Sequence, residues 1–188
     1  VIPLDWSVGE RCETILEQIG LMPAIGVEVG VFRGMLAARL LQSNPDLKLV
    51  MVDPWGVVEA PESYIASLDP HATLTTEEHE ECYRAACANV AFAGSRAMIL
   101  RTTSTTAAAM CQEGFFDFVF IDGDHSYKSV CADIDAWKSK IMPGGFIAGH
   151  DYANPTYTTV GASVKRAVDE RFGEHVQLGK DMTWYVRL

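Results

Sequence analysis

The chain has 188 residues, 48% apolar and 21% charged, which suits a single globular domain over residues 1–188 with a sizeable buried core. Its formal net charge of −10 argues against nucleic acid or an anionic membrane as partner, because both are polyanions. No apolar run approaches the roughly 20 residues of a membrane span, and the opening VIPLDWSVGE lacks the features of a secretory leader, so the expected location is cytoplasmic. Cys12, Cys82, Cys87, Cys111 and Cys131 form an odd set with no CxxC pair, as expected of reduced thiols rather than disulfides or a zinc site.

The N-terminal segment, residues 1–22, carries a predicted helix over 7–20, with Val8, Cys12, Ile15, Leu16 and Ile19 near helical spacing. Ser7 and Glu10 read as its capping box. Residues 24–29 are a short β-branched strand, 34–42 a Leu- and Ala-rich helix, and 47–52 a second strand apolar enough to be buried on both faces. The stretch 54–76 shows little periodicity and reads as a long functional loop. A helix over 76–93, a strand over 97–101, a short helix over 104–112 and a strand over 116–121 follow. Next come a helix over 126–138, a Pro143-Gly144-Gly145 turn, a strand over 146–148 and a helix over 158–172. This alternation predicts a parallel sheet covered on both faces. The ending departs from it, because strands over 175–178 and 183–187 joined by Gly179-Lys180-Asp181 must pair antiparallel.

In such sheets ligands bind beyond the carboxyl ends of the strands. The first strand runs into Glu28-Val29-Gly30-Val31-Phe32-Arg33-Gly34, a GxxxG turn rather than the GxGxxG of a dinucleotide site. Gly30 and Gly34 let a ligand approach the backbone beside Phe32. Glu28 there would repel a pyrophosphate but suits the ammonium and sulfonium of S-adenosylmethionine. Asp53, closing the second strand, is placed to accept both hydroxyls of a ribose, in S-adenosylmethionine and NAD alike. Trp55 could pack on an adenine or anchor its loop, and Thr103 and Ser104 could bond the adenine edge or cap the next helix.

The fourth strand runs into Asp122-Gly123-Asp124-His125 and the fifth into His150-Asp151, so parallel neighbours would bring these residues together. Crowded acids need a cation or a proton. The oxygen-rich set suits Mg²⁺, and the histidines also permit Mn²⁺ or Zn²⁺. Asp124 suits a helix cap equally well, and His150 a satisfied core histidine.

The segments VEVGVFRG, VDPW, FDFVFIDGDHSY, MPGGFIAGHDY and KDMTWYVRL resemble the small class I S-adenosylmethionine-dependent methyltransferases, in particular the macrocin-type, metal-dependent sugar O-methyltransferases. The likeness runs from about residue 26 to the C-terminus. It implies an α/β, Rossmann-like doubly wound sheet of seven strands in the order 3-2-1-4-5-7-6, with strand seven antiparallel. It further implies a cofactor site formed by Glu28, Gly30, Asp53 and the Asp122 region, a divalent ion held by Asp122 and Asp151, and His125 as the base. His150 stands where relatives carry an acid, and completes the candidate metal set. Such an enzyme would methylate a hydroxyl of a small-molecule acceptor, sugar hydroxyls first and phenols next. The acceptor would be met by the 54–76 loop and by His71, Tyr152 and Tyr157. An NAD-linked oxidoreductase and a non-catalytic cofactor-binding domain are the rival readings; assembly into a homo-oligomer stays open.

Overall fold

The computed structural model describes residues 6–20, 22–56, 62–66 and 70–188, without the side chains of Trp6, Ser7, Ser63 and Pro70. In chain order these form α1 (Trp6–Ile19), β1 (Ala24–Val29), α2 (Met35–Ser43), β2 (Leu47–Asp53), α3 (Glu62–Ile65) and α4 (Thr76–Val90). There follow β3 (Ala97–Arg101), α5 (Ser104–Met110), β4 (Phe116–Ile121), α6 (Tyr127–Trp137), β5 (Ile141–Gly149), α7 (Thr158–Phe172), β6 (Gln177–Leu178) and β7 (Trp184–Arg187).

The strands make one sheet in the order β3-β2-β1-β4-β5-β7-β6. β1 through β5 pair in parallel, while β7 runs antiparallel to both β5 and β6. Topology and terminal hairpin therefore follow the pattern expected from the sequence. The central strands β1 and β4 are apolar apart from Glu28 and Asp117 because each feeds two cores. Phe118 and Phe120 point into a cluster with residues of α1, α2 and α4, whereas Val119 and Ile121 join residues of α5, α6 and α7 on the other face.

Several boundaries differ from the sequence expectation. Pro143-Gly144-Gly145 lies inside β5, because β7 reaches back to it: Gly144 N–H donates to Leu188 O at 2.8 Å and Leu188 N–H to Gly145 O at 3.0 Å. The helix expected over 76–93 ends at Val90 and tightens into a 3-10 segment, Ala91–Arg96. Its start carries a capping box at Thr75 and Glu78. The box expected at Ser7 is not one of helix entry, since α1 already includes Trp6; the Ser7 side chain lies outside the described residues. Within the 54–76 loop, α3 and a 3-10 turn, Pro70–Thr73, are helical, and residues 57–61 and 67–69 lie outside the described residues.

α1 is strapped to the terminal hairpin by polar contacts. Lys180 N–H donates to Thr14 Oγ1 at 3.0 Å, Lys180 Nζ to Glu13 at 2.7 Å, and Arg187 Nη2 to Gln18 O at 3.0 Å. Because the turn before β7 lies at the carboxyl end of β5, this strap sets α1 beside the tips of the central strands.

Candidate functional site

The bend after β1 is pinned between its two neighbours: Gly30 N–H donates to Val52 O at 2.9 Å, and Asp122 N–H to Val29 O at 2.7 Å. Gly30 has φ +82°, and a Cβ there would stand 2.1 Å from Asp122 O. Only glycine fits both the conformation and the space. Two residues earlier, Glu28 is 2% exposed and its Oε2 has no hydrogen-bond partner among the described residues. Burial, reinforced by the negative charges of Asp122 and Asp53 and opposed by Arg11, pushes the Glu28 carboxyl well above the usual range. A buried carboxyl oxygen without a partner is costly unless a donor or a cation meets it.

The other expected cofactor residues are placed unevenly. Asp53 clamps the bend: its Oδ2 accepts from Val31 N–H and Phe32 N–H, both at 2.9 Å, and its Oδ1 from Trp55 N–H at 2.8 Å. With Oδ2 already accepting twice, the expected two-oxygen embrace of a ribose is corrected to a single open lone pair on Oδ1. Trp55 is buried in the core, with Nε1–H donating to Phe32 O at 2.7 Å and its ring edge-on to Tyr83, so it anchors the loop and has no face left for an adenine. Phe32, in the left-handed region at φ 52°, meets His71 edge-to-face at 4.6 Å. Gly34 caps α2. Thr103 caps α5, accepting from Thr106 N–H, and Ser104 accepts from Trp137 Nε1–H at 2.9 Å.

Ser104 also bonds Asp133, whose carboxyl is raised by burial, against that bond, to about 7. The folded protein therefore holds this proton between pH 4 and 7 whereas the unfolded chain does not, so stability falls as pH rises through that window and the loss is complete above it. Asp133→Asn is expected to raise the melting temperature by several degrees at pH 8 and by almost nothing at pH 4. Equal shifts at both pH values in thermal melts would contradict this reading.

The tips of β4 and β5 bring Asp122, His125, His150 and Asp151 together, as their order along the chain suggests. His125 Nε2 lies 3.0 Å from Asp151 Oδ2 and 3.3 Å from Asp122 Oδ1. His150 Nδ1 lies 3.1 Å from Asp151 Oδ2 and 3.7 Å from Asp122 Oδ1. Asp151 stands in the left-handed region at φ 60°, a conformation aspartate tolerates better than most residues. Its turn is held by Asn154, which donates to Asp151 Oδ1, and by the close approach of Gly161, where a Cβ would stand 2.2 Å from Asn154 N. Asp124 lies aside at the entry to α6, accepting from Ser126 N–H at 2.8 Å and from Ser129 Oγ, while Ser126 is the cap residue. Of the expected acceptor contacts, Tyr152 donates to Asp169 at 2.7 Å and Tyr157 is exposed.

Two members of the cluster were not anticipated. From α1, Arg11 Nη1 donates to Asp122 Oδ2 at 2.7 Å and Nε to Asp181 Oδ2 at 3.0 Å. From the β6–β7 turn, Asp181 Oδ2 also lies 3.3 Å from His150 Nε2, an ion-pair distance without hydrogen-bond alignment. Asp181 was findable, since an antiparallel last strand puts its preceding turn at the carboxyl end of β5. Arg11 left no comparable signal, as only long-range packing brings α1 here. Burial would raise the Asp122 carboxyl, yet Arg11, His150 and His125 hold it well below the usual range. Burial would lower His150, but Asp122, Asp151 and Asp181 push it up to about 9. The ligand atoms of Asp122, His125 and Asp151 lie within 4.8 Å of one another, and His150 Nδ1 stands beside the same two carboxylates.

A family model described as a methyltransferase domain matches residues 27–152, well over half of the chain. The chain belongs to this methyltransferase-domain family. Solved structures agree on the fold. CalS11, a calicheamicin methyltransferase, has a TM-score of 0.67 at 16% identity, over 94% of this chain and 77% of that one. The O-methyltransferase NovP scores 0.64 at 17% identity, over 94% and 78%. Cofactor-bound Rv0187 from MTB scores 0.65 at 17%, over 94% and 78%. No curated protein matches. Membership does not favour the oxidoreductase alternative, and among the described residues of this methyltransferase no helix is long and apolar enough to cross a membrane.

Proposed function

We propose that this methyltransferase, acting as one catalytic domain over residues 1–188, uses S-adenosylmethionine to methylate a hydroxyl of a small molecule. A sugar hydroxyl is the first choice of acceptor. The orphaned, buried oxygen of Glu28 beside the Gly30 bend carries the reading. That pair fits a ligand with a cationic amino acid end and no phosphate. CalS11, described as a TDP-rhamnose 3'-O-methyltransferase, and NovP supply the support for oxygen and for a sugar.

Bound S-adenosylmethionine would supply a methyl group made electrophilic by its sulfonium. The chain's own residues then have to hold the acceptor in line and remove its proton. His125 is the base: its imidazole takes the hydroxyl proton, and the Asp122 and Asp151 carboxylates within 3.3 Å hold the cation that results. The donor set of Asp122, His125 and Asp151 has the chemistry of a divalent-metal site. It does not fit an ion as it stands. Both oxygens of Asp122 and of Asp151 are engaged: Asp122 by Arg11 and the histidines, Asp151 by Asn154 and the histidines. No step is therefore assigned to a metal.

Calorimetry tests the cofactor. Without a cationic partner Glu28 keeps its proton above the usual carboxyl range, whereas an ammonium partner favours the charged form. Binding should release a proton, so affinity should rise with pH until Glu28 ionises unaided. Titrations in buffers of different ionisation enthalpy read the proton directly, and Glu28→Gln should abolish its release and weaken binding at least tenfold. No heat with S-adenosylmethionine or its demethylated product, alongside tight binding of a phosphate-bearing nucleotide, overturns the assignment.

A further inference from the structure

We infer that Arg11 is the fixed cation of the active site, serving this chain in place of a divalent metal ion. The inference rests on the methyltransferase reading above and concerns the same cluster. Three carboxylates, Asp122, Asp151 and Asp181, converge with side chains only 10–15% exposed. A group of acids so shielded from water requires positive charge among them. The guanidinium meets that need from a different element: α1 carries it over the strand tips, and it bridges Asp122 at 2.7 Å and Asp181 at 3.0 Å. Arginine stays protonated at any working pH, so this charge does not depend on solution conditions.

The bridge also withdraws the site from metal coordination. An ion shared by Asp122, His125 and Asp151 would have to part the histidines from Asp122 Oδ1 or share Oδ2 with the Arg11 guanidinium. It would also stand within a few ångströms of a permanent positive charge. Around the guanidinium, Nη1 and Nε serve the two carboxylates, while the Nη2 hydrogens have no acceptor among the described residues. In the reaction the acceptor O–H bond breaks and its proton passes to His125. The oxygen pair forms the new O–C bond as the C–S bond breaks, and that electron pair leaves on sulfur. Negative charge grows on the oxygen before the carbon arrives, and a nearby guanidinium lowers its cost. Arg11 also positions Asp122, which in turn holds His125.

Mn²⁺ is the probe, followed by electron paramagnetic resonance and calorimetry on the full chain, with and without the demethylated cofactor. The wild type should bind Mn²⁺ no tighter than millimolar while still binding the nucleoside. Arg11→Gln, which vacates the bridge, should bind Mn²⁺ at least tenfold tighter, with the gain removed in Arg11→Gln/Asp151→Asn; Arg11→Lys should restore the wild-type refusal of metal. Micromolar Mn²⁺ binding by the wild type, lost in Asp151→Asn, overturns the inference and leaves the methyltransferase reading standing. Failure to bind the nucleoside defeats that reading instead. If Arg11→Gln does not fold, the wild-type titration decides alone.

Discussion

Gly30→Ala abolishes detectable binding of S-adenosylmethionine in calorimetry and lowers the melting temperature by about 10 °C, the shift expected for a loss on the order of 3 kcal/mol. The added methyl group would stand 2.1 Å from Asp122 O and 2.4 Å from its carbonyl carbon, and both belong to backbone. Backbone cannot swing aside as a flexible side chain can, and φ +82° is itself costly for alanine. The bend must therefore rise away from the tip of β4. That movement removes the approach to Glu28 and disturbs Asp122 together with its partners. An alanine variant that binds the nucleoside with native affinity would show that the bend lies outside the cofactor site.

His125→Ala lowers kcat by two to four orders of magnitude with any acceptor that the wild type accepts, the usual size of a lost general base. Cofactor affinity should not change, because His125 faces Asp122 and Asp151 rather than the Glu28 carboxyl. The KM for the acceptor should move little, since proton removal belongs to the transition state. Rates within threefold of the wild type would remove His125 from the reaction.

Most of the scaffold was legible in the sequence, and for a physical reason. β1, β3, β4 and α7 end where they were expected, because short, mainly apolar strands bounded by turns, and a helix whose apolar residues recur at helical spacing, leave little room to slide. The reversed last strand followed from connection length alone. Boundaries slipped where a distant partner decides, as at Pro143-Gly144-Gly145, which became strand because the end of β7 pairs with it. The site was legible where chemistry sits on strand tips: Glu28, Gly30, Asp122, His125, His150 and Asp151 all converge. For Trp55 the structure takes the loop-anchor alternative, and nothing in the spacing of Asp53 shows that its carboxylate is occupied by three backbone amides. Arg11 could not be foreseen, because the packing that delivers it joins residues 170 positions apart.

That separation carries a consequence for biosynthesis. On the ribosome Arg11 emerges long before Asp181 is made, so for most of translation the guanidinium lacks one of its two carboxylates. A chain arrested after Asn154 holds the tips of β4 and β5 but not the hairpin that ties α1 over them. Any chain that stops short of the hairpin therefore lacks both the strap and the Asp181 carboxylate that fix Arg11 over the strand tips.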